Sequence, residues 1–453
     1  MRYLLNLLYI TLIASASPLL LYRAIAHGKY RRGWREKLLG LVPRRPDDAP
    51  CVWFHAVSVG EVNLLAPLLA EIARRYPHWQ CVVSTTTDTG FATARKKYPA
   101  LTVFYCPLDF SWAVETAIRR IRPTCLVLAE LELWPNLISA ARRSGARAAV
   151  INGRLSERSF KGYARLRPLI GRLLGQLDLI AVQNDEYAER FLLLGAAAAK
   201  VHVTGSMKFD GAQTDRRNAA TERLRRLAGI EDGDVVFLAG STQEGEEQAA
   251  LGAYRELCGE HPRLRLVLVP RHPERFDSVA AMLDRSGVAW QRRSRLCGAG
   301  VPPATEKQAG RLHHKPEGQR PLARILLVDT IGELGAWWGT ASIAFVGGSL
   351  GNRGGQNMIE PAAYGAAVCF GPNTRNFRDI VEQMLSDRAA LVVANASELS
   401  AFVRRCLIDR PFADALGRRA RALVAQQLGA TDRTCALLAP LVESIEASNA
   451  KAA

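Results

Sequence analysis

From about residue 50 onward, short apolar runs alternate with longer segments of helical period. CVWFHAV (51–57) leads into a helix from Glu61, and QCVVSTTT (80–87) into one over Gly90–Tyr98. LTVFYC, TCLVLAELE, RAAVING and LDLIAVQND continue the series, and VHVTGS from Val201 closes it. Short apolar runs separated by helices predict βαβ units and a parallel sheet. A second series opens at DVVFLAGS (234–241) and continues through LRLVLVPRH, ILLVDT, SIAFVGGS, AAVCFGP and ALVVANA. Its first helices are expected from about Glu244 and Glu274.

The segment Phe209–Asp234 is polar and rich in Arg and Asp, and reads as an inter-domain connection with a short helix. Cys297–Arg324 is rich in Gly, Pro and Lys without a period, which predicts a mobile surface loop. Pro411 to about Ser448 reads as helical. A chain of 453 residues is too long for one ordinary core. The fold class is therefore α/β, with two doubly wound domains facing a central cleft. Residues 25–215 form the first domain, and 216–453 the second with its C-terminal helical segment.

Residues 1–24 stand apart. Tyr3–Tyr22 carries no charge and has the length of a bilayer-crossing helix. Arg23, Lys29, Arg31, Arg32, Arg35 and Lys37 follow it, a cluster that stays on the cytoplasmic side of a membrane. Ala14-Ser15-Ala16 resembles a signal-peptidase site. The basic flank favours instead an uncleaved anchor, with the body on the cytoplasmic side of the membrane.

Ligands of doubly wound sheets bind beyond the carboxyl ends of the strands, so the residues there are the candidates. Ser58 and Glu61 follow the first run, Glu61 in the first turn of a helix, which favours a carboxylate in its ionised form. Such a residue either complements the helix dipole or takes a proton in a cleft. Glu130 and Glu132 end TCLVLAELE, where period-2 alternation would put both acids on one face. Arg154 and Lys208 are their candidate partners or anion contacts. Ser241 and Thr242 either cap a helix or touch a phosphate. Arg271 suits a phosphate or carboxylate, beside His272. Ile331, Gly332 and Glu333 follow another strand, where backbone groups suit a nucleobase. Gly348 and Ser349 open a glycine-rich turn before a helix near Asn357, Met358, Ile359 and Glu360, a composition suited to a phosphate and ribose.

A net charge of +17 suits an anionic partner: nucleic acid, phospholipid or a phosphorylated substrate. The absence of a long Lys/Arg tract or zinc-finger spacing argues against nucleic acid. The nine cysteines form no C-x-x-C pair and read as reduced thiols. No metal-ligand motif and no nucleophile elbow is present, so chemistry by carboxylates and cations, with no metal or cofactor, is expected.

HAVSVGE, ELELWPNL, NGRLSERS, GSMKFD, GSTQEGEE, VPRHPERF, DTIGEL, GGQNMIEPAAYG and FGPNTRNFRDI, in this order, resemble the Kdo transferases. These enzymes add 3-deoxy-D-manno-octulosonic acid (Kdo) to lipid A precursors. The resemblance covers nearly the whole chain and implies a GT-B fold, CMP-Kdo as donor, a lipid A precursor as acceptor, and inversion without a metal. It implies Glu61 as general base and Glu132 and Lys208 as transition-state stabilisers. It also implies Arg271–His272, Ile331–Glu333 and Asn357–Glu360 as CMP-binding stretches. The basic surface would meet the anionic inner-membrane lipids. Gln243 and Gln356 depart from the family, which often has His at both positions. Another GT-B enzyme, such as a lipid-A-disaccharide synthase or a UDP-sugar epimerase, is the alternative.

Overall fold

The structure is a computed structural model that describes residues 2–27, 32–296 and 323–452. The chain divides into two compact units, Met1–Asp210 with Gln427–Ala453, and Gly211–Gln426. The first is built on seven parallel strands: β1 (Cys51–His55), β2 (Gln80–Thr85), β3 (Thr102–Tyr105), β4 (Cys125–Ala129), β5 (Arg147–Gly153), β6 (Leu179–Val182) and β7 (Val201–Val203). Their order is β3-β2-β1-β4-β5-β6-β7. Helices cover both faces, which is why the strands read as continuous apolar runs. Trp53, Val82, Leu126 and Leu128 enter one core layer, and Val52, Phe54, Val83 and Val127 the other.

The second unit repeats the plan. Its strands are β8 (Val235–Thr242), β9 (Leu264–Pro270), β10 (Trp290–Arg292), β11 (Ile325–Leu327), β12 (Ile343–Val346), β13 (Ala367–Phe370) and β14 (Ala390–Val392). They run in the order β10-β11-β9-β8-β12-β13-β14, again all parallel. The strand order reverses between β1 and β4 in one sheet and between β8 and β12 in the other. Such switch points are where doubly wound sheets take their ligands. Only β10 has no counterpart in the expected series. It is a half-buried edge strand of three residues, too short to show a period. The loop expected from Cys297 lies, over 297–322, outside the described residues.

Two expectations need correction. The C-terminal helical segment does not belong wholly to the second domain. It breaks at Gly429 (φ 81°) into helices Arg410–Gln427 and Ala430–Ala452. The latter places Cys435, Leu438, Ala439 and Val442 in the first unit's core, beside helix Val59–Arg75. Asp210 fixes the turn by accepting the Gly429 N–H at 2.8 Å.

The membrane-crossing anchor is not found. Residues Arg2–His27 do form a helix, yet among the described residues no helix is long and apolar enough to cross a membrane. Its polar side chains serve a different purpose. Asn6 is buried, donates to Ser111 Oγ at 2.8 Å and accepts the Ser111 N–H at 3.0 Å. Tyr9 donates to Asp109 at 3.1 Å and packs edge-on against Phe110.

Asp109 joins this helix to the site-bearing part of the unit. Its carboxylate accepts the N–H groups of Asn136 (3.0 Å) and Leu137 (2.8 Å), at the start of helix Pro135–Arg143 directly behind Glu130 and Glu132. Asp109→Ala strands both buried N–H groups. It is expected to cost about 2–4 kcal/mol of unfolding free energy in denaturant titrations.

Candidate active site

At the switch point of the first sheet, β1 ends at His55 and helix Val59–Arg75 begins four residues later. Ser58 caps that helix: its Oγ accepts the Glu61 N–H at 3.3 Å and donates to Glu61 Oε1 at 2.8 Å. Glu61 Oε2 accepts the Val57 N–H at 2.8 Å. Ser58 and Glu61 thus bond reciprocally, much as in a capping box, with the carboxylate returning to the Val57 N–H one residue before the cap. The carboxylate is nevertheless buried, at 8% exposure. Burial raises its pKa against the hydrogen bonds from Ser58 and Val57, and the charge of Glu130 raises it further. The expectation that the helix terminus keeps Glu61 readily ionised is therefore reversed in direction.

On the neighbouring strand, β4 ends at Ala129 and the two acids lie beyond it. Glu130 adopts a left-handed conformation (φ 55°), so strand alternation does not place them on one face. The turn sends them to different partners. Glu130 pairs with Lys208 at 3.0 Å, whereas Glu132 accepts the Trp134 indole N–H at 2.9 Å. Burial, then the charge of Glu61, pushes the Glu132 pKa up to about 7. The charge of Glu61 thus opposes ionisation of Glu132, while the like charge acting on Glu61 is that of Glu130. Trp134 also packs edge-on against His55, which is fully buried and held neutral, its pKa lowered to about 4 by burial. Arg154 follows β5 and is half-buried.

In the second unit the glycine-rich turn behind β12 already holds an anion of the chain's own. Glu246 is 1% exposed. Its Oε1 accepts the N–H groups of Ser349 and Leu350 (both 2.9 Å), and its Oε2 those of Gly348 (2.7 Å) and Gln243 (2.8 Å). The donors of Gly348 and Ser349, expected to cradle a phosphate, are thus spent on a carboxylate. Sequence reading missed Glu246 among the acids of GSTQEGEE, because only the approach of β12 to β8 identifies it. Neither Ser241 nor Thr242 caps the helix, whose N-cap is Gly245 with no side-chain cap bond. Thr242 ends β8 and donates to the Glu247 carboxylate at 2.9 Å, and Ser241 is buried with φ 55°.

The other donor-side candidates divide by exposure. Met358 and Ile359 are core residues. Asn357 donates to Glu360 at 2.9 Å, and the helix that follows is one short turn, Ile359–Ala363. Glu360 has its pKa raised by burial, against the Asn357 hydrogen bond and the charge of Arg271. Arg271 and His272 are exposed beyond β9, His272 lying 3.8 Å from Glu274. Gly332 has φ 87° and presents Ile331 at 80% exposure. Glu333 is engaged by Arg293 through two bonds of 2.9 and 2.7 Å and by Thr330 at 2.7 Å. Burial raises its pKa, but those bonds outweigh it and hold the carboxyl below its ordinary value.

Two substitutions check this geometry. Glu246→Ala leaves four N–H groups without their acceptor and is expected to cost roughly 3–5 kcal/mol in denaturant unfolding, with faster amide exchange at 348–350. Glu132 binds its proton more tightly folded than unfolded, so its contribution to stability is complete at low pH. That contribution fades as pH rises from about 4 to about 7. Glu132→Gln should therefore raise Tm above wild type at pH 8, and thermal melts should show the gain vanishing near pH 4.

The C-terminal CMP-Kdo binding domain of WaaA from Acinetobacter baumannii is a solved structure 28% identical to this chain, covering 46% of it and 96% of that domain, with a TM-score of 0.38. The family model for 3-deoxy-D-manno-octulosonic-acid transferase (kdotransferase) matches residues 32–211. The 3-deoxy-D-manno-octulosonic acid transferase of Bordetella pertussis is 35% identical over 398 residues, covering 86% of each chain. That of Chlamydophila psittaci is 32% identical over 372 residues, 82% of this chain and 80% of its own. With identity at this level across most of both sequences, the chain belongs to the 3-deoxy-D-manno-octulosonic acid transferase family and is a glycosyltransferase.

Proposed function

We propose that the chain moves Kdo from CMP-Kdo to a hydroxyl group of a lipid A precursor in lipopolysaccharide biosynthesis, inverting the anomeric centre without a metal. The observation that carries this reading, beside family membership, is the buried Glu61 with the half-buried Glu132, whose pKa its charge raises, at the switch point of the first sheet. A hydroxyl nucleophile needs a base, and a carboxylate made more basic by burial serves better near neutral pH. Glu61 takes the acceptor proton as the hydroxyl oxygen bonds to the anomeric carbon, and CMP leaves with the electrons of the broken bond. Glu132, half protonated near neutral pH, leaves Glu61 as the ionised member of the pair and has a proton to share with developing negative charge. Lys208 and Arg271 supply positive charge, the latter to the departing phosphate. Asn357 and Glu360 are assigned to CMP.

The body is proposed to work on the cytoplasmic face of the inner membrane. Support comes from the apolar side chains exposed on helix Arg2–His27, among them Leu7, Ile10 and Leu12, and from the net charge of +17. Such a helix would rest in the interface of an anionic lipid surface without spanning it.

Purified protein with CMP-Kdo and lipid IVA should release CMP, and absence of transfer would overturn the assignment. Glu61→Gln should lower kcat by roughly 10²–10⁴. The acid limb of wild-type kcat/KM, lost as pH falls through the raised pKa of Glu61, should lie above the ordinary carboxylate range of about 4. A limb at or below that value excludes Glu61 as the base.

A further inference from the structure

The loops behind β12 and β13 are tied into one rim. Ser349 Oγ accepts the Gly371 N–H at 2.8 Å, and Ser349 O accepts that of Asn373 at 3.0 Å. Gly354 O accepts the Asn376 N–H at 2.9 Å, and the Asn376 side-chain amide donates to Arg353 O at 3.0 Å. The approach is close: at Gly354 (φ 89°) a Cβ would lie 2.7 Å from Arg375 Cγ. Since Ser349 is itself held by Glu246, the rim is fixed from the core outward.

This rim encloses a recess of about 230 Å³ lined by Asn352, Gly354, Pro372, Asn373, Thr374, Arg375 and Arg378. Two of the lining side chains are guanidinium groups, three carry an amide or hydroxyl, and none is a carboxylate. Neither arginine forms an ion pair among the described residues. The nucleotide stretch Asn357–Glu360 continues from the same loop. Paired guanidinium groups with neutral donors between them recognise oxyanions. The volume admits such a group on part of a sugar and is small for a nucleotide.

We propose that this recess is an anion subsite of the second unit, separate from the nucleotide stretch. Arg375 and Arg378 take an oxyanion carried on a sugar: the carboxylate of the transferred residue or a phosphate of the acceptor. The proposal rests on the transfer reading above for its choice of sugars. The recess and its arginines do not depend on that reading.

Arg375→Ala/Arg378→Ala in the full chain tests it, with the double Lys variant as control for charge without the planar fork. Expected is a rise in KM for CMP-Kdo of about tenfold or more, with calorimetric CMP affinity kept within about twofold. A rise confined to the KM of phosphorylated acceptor, absent for dephosphorylated acceptor, assigns the subsite to the acceptor phosphate and equally supports it. Unchanged KM for both substrates overturns the proposal, as does parallel loss of CMP affinity. If the wild type proves inactive, the transfer reading fails alone. Calorimetric binding of free Kdo and inorganic phosphate then decides: binding lost in the double Ala variant supports the subsite, and equal or absent binding overturns it.

Discussion

Four backbone N–H groups converge on the carboxylate of Glu246, and the carboxyl end of the second sheet takes its shape from that convergence. A glycine-rich turn is cheap to bend and costly to hold, because glycine surrenders more backbone freedom than any other residue. The buried acid offsets that cost with charge-assisted hydrogen bonds, each stronger than a neutral one. Through Ser349 the constraint passes to the loop behind β13, so two successive strand ends behave as one object. Asp109 does similar work in the first unit, where an acid outside the site fixes the helix start behind the site's own acids.

The first unit shows how burial and capping share one side chain. Glu61 bonds reciprocally with the cap residue Ser58 and also raises the pKa of a second acid. A cap is a geometric role and a base is a protonation role. The hydrogen bonds that define the former stabilise the charged state, and the burial that comes with position opposes it. The structural and chemical readings of this residue thus concern the same two oxygens.

Most of the fold was legible because parallel strands buried on both faces announce themselves as apolar runs, and CVWFHAV, RAAVING and LRLVLVP each became a strand. The edge strand Trp290–Arg292 was not, since three half-buried residues carry no period. The candidate acids were legible by their place after strands, but their partners were not. Glu130 turns toward Lys208 because of a left-handed backbone that alternation cannot foresee. Glu246 stayed hidden because three of its four ligands are backbone groups about a hundred residues downstream, and backbone N–H groups leave no trace in a sequence. The helix Arg2–His27 was misjudged for a related reason: Asn6 and Tyr9 read as blemishes in an apolar run, and are the residues that fasten it.

The return of helix Ala430–Ala452 to the first unit carries a consequence for the order of synthesis. The first unit is begun before the second and completed after it. Its strands are made before the second unit, yet Cys435, Leu438 and Val442 reach its core only after the whole second unit has been made. Until then helix Val59–Arg75, which starts with Glu61, lacks the neighbour that covers it. A nascent chain halted anywhere within the second unit therefore carries the first unit's acids on an incomplete support.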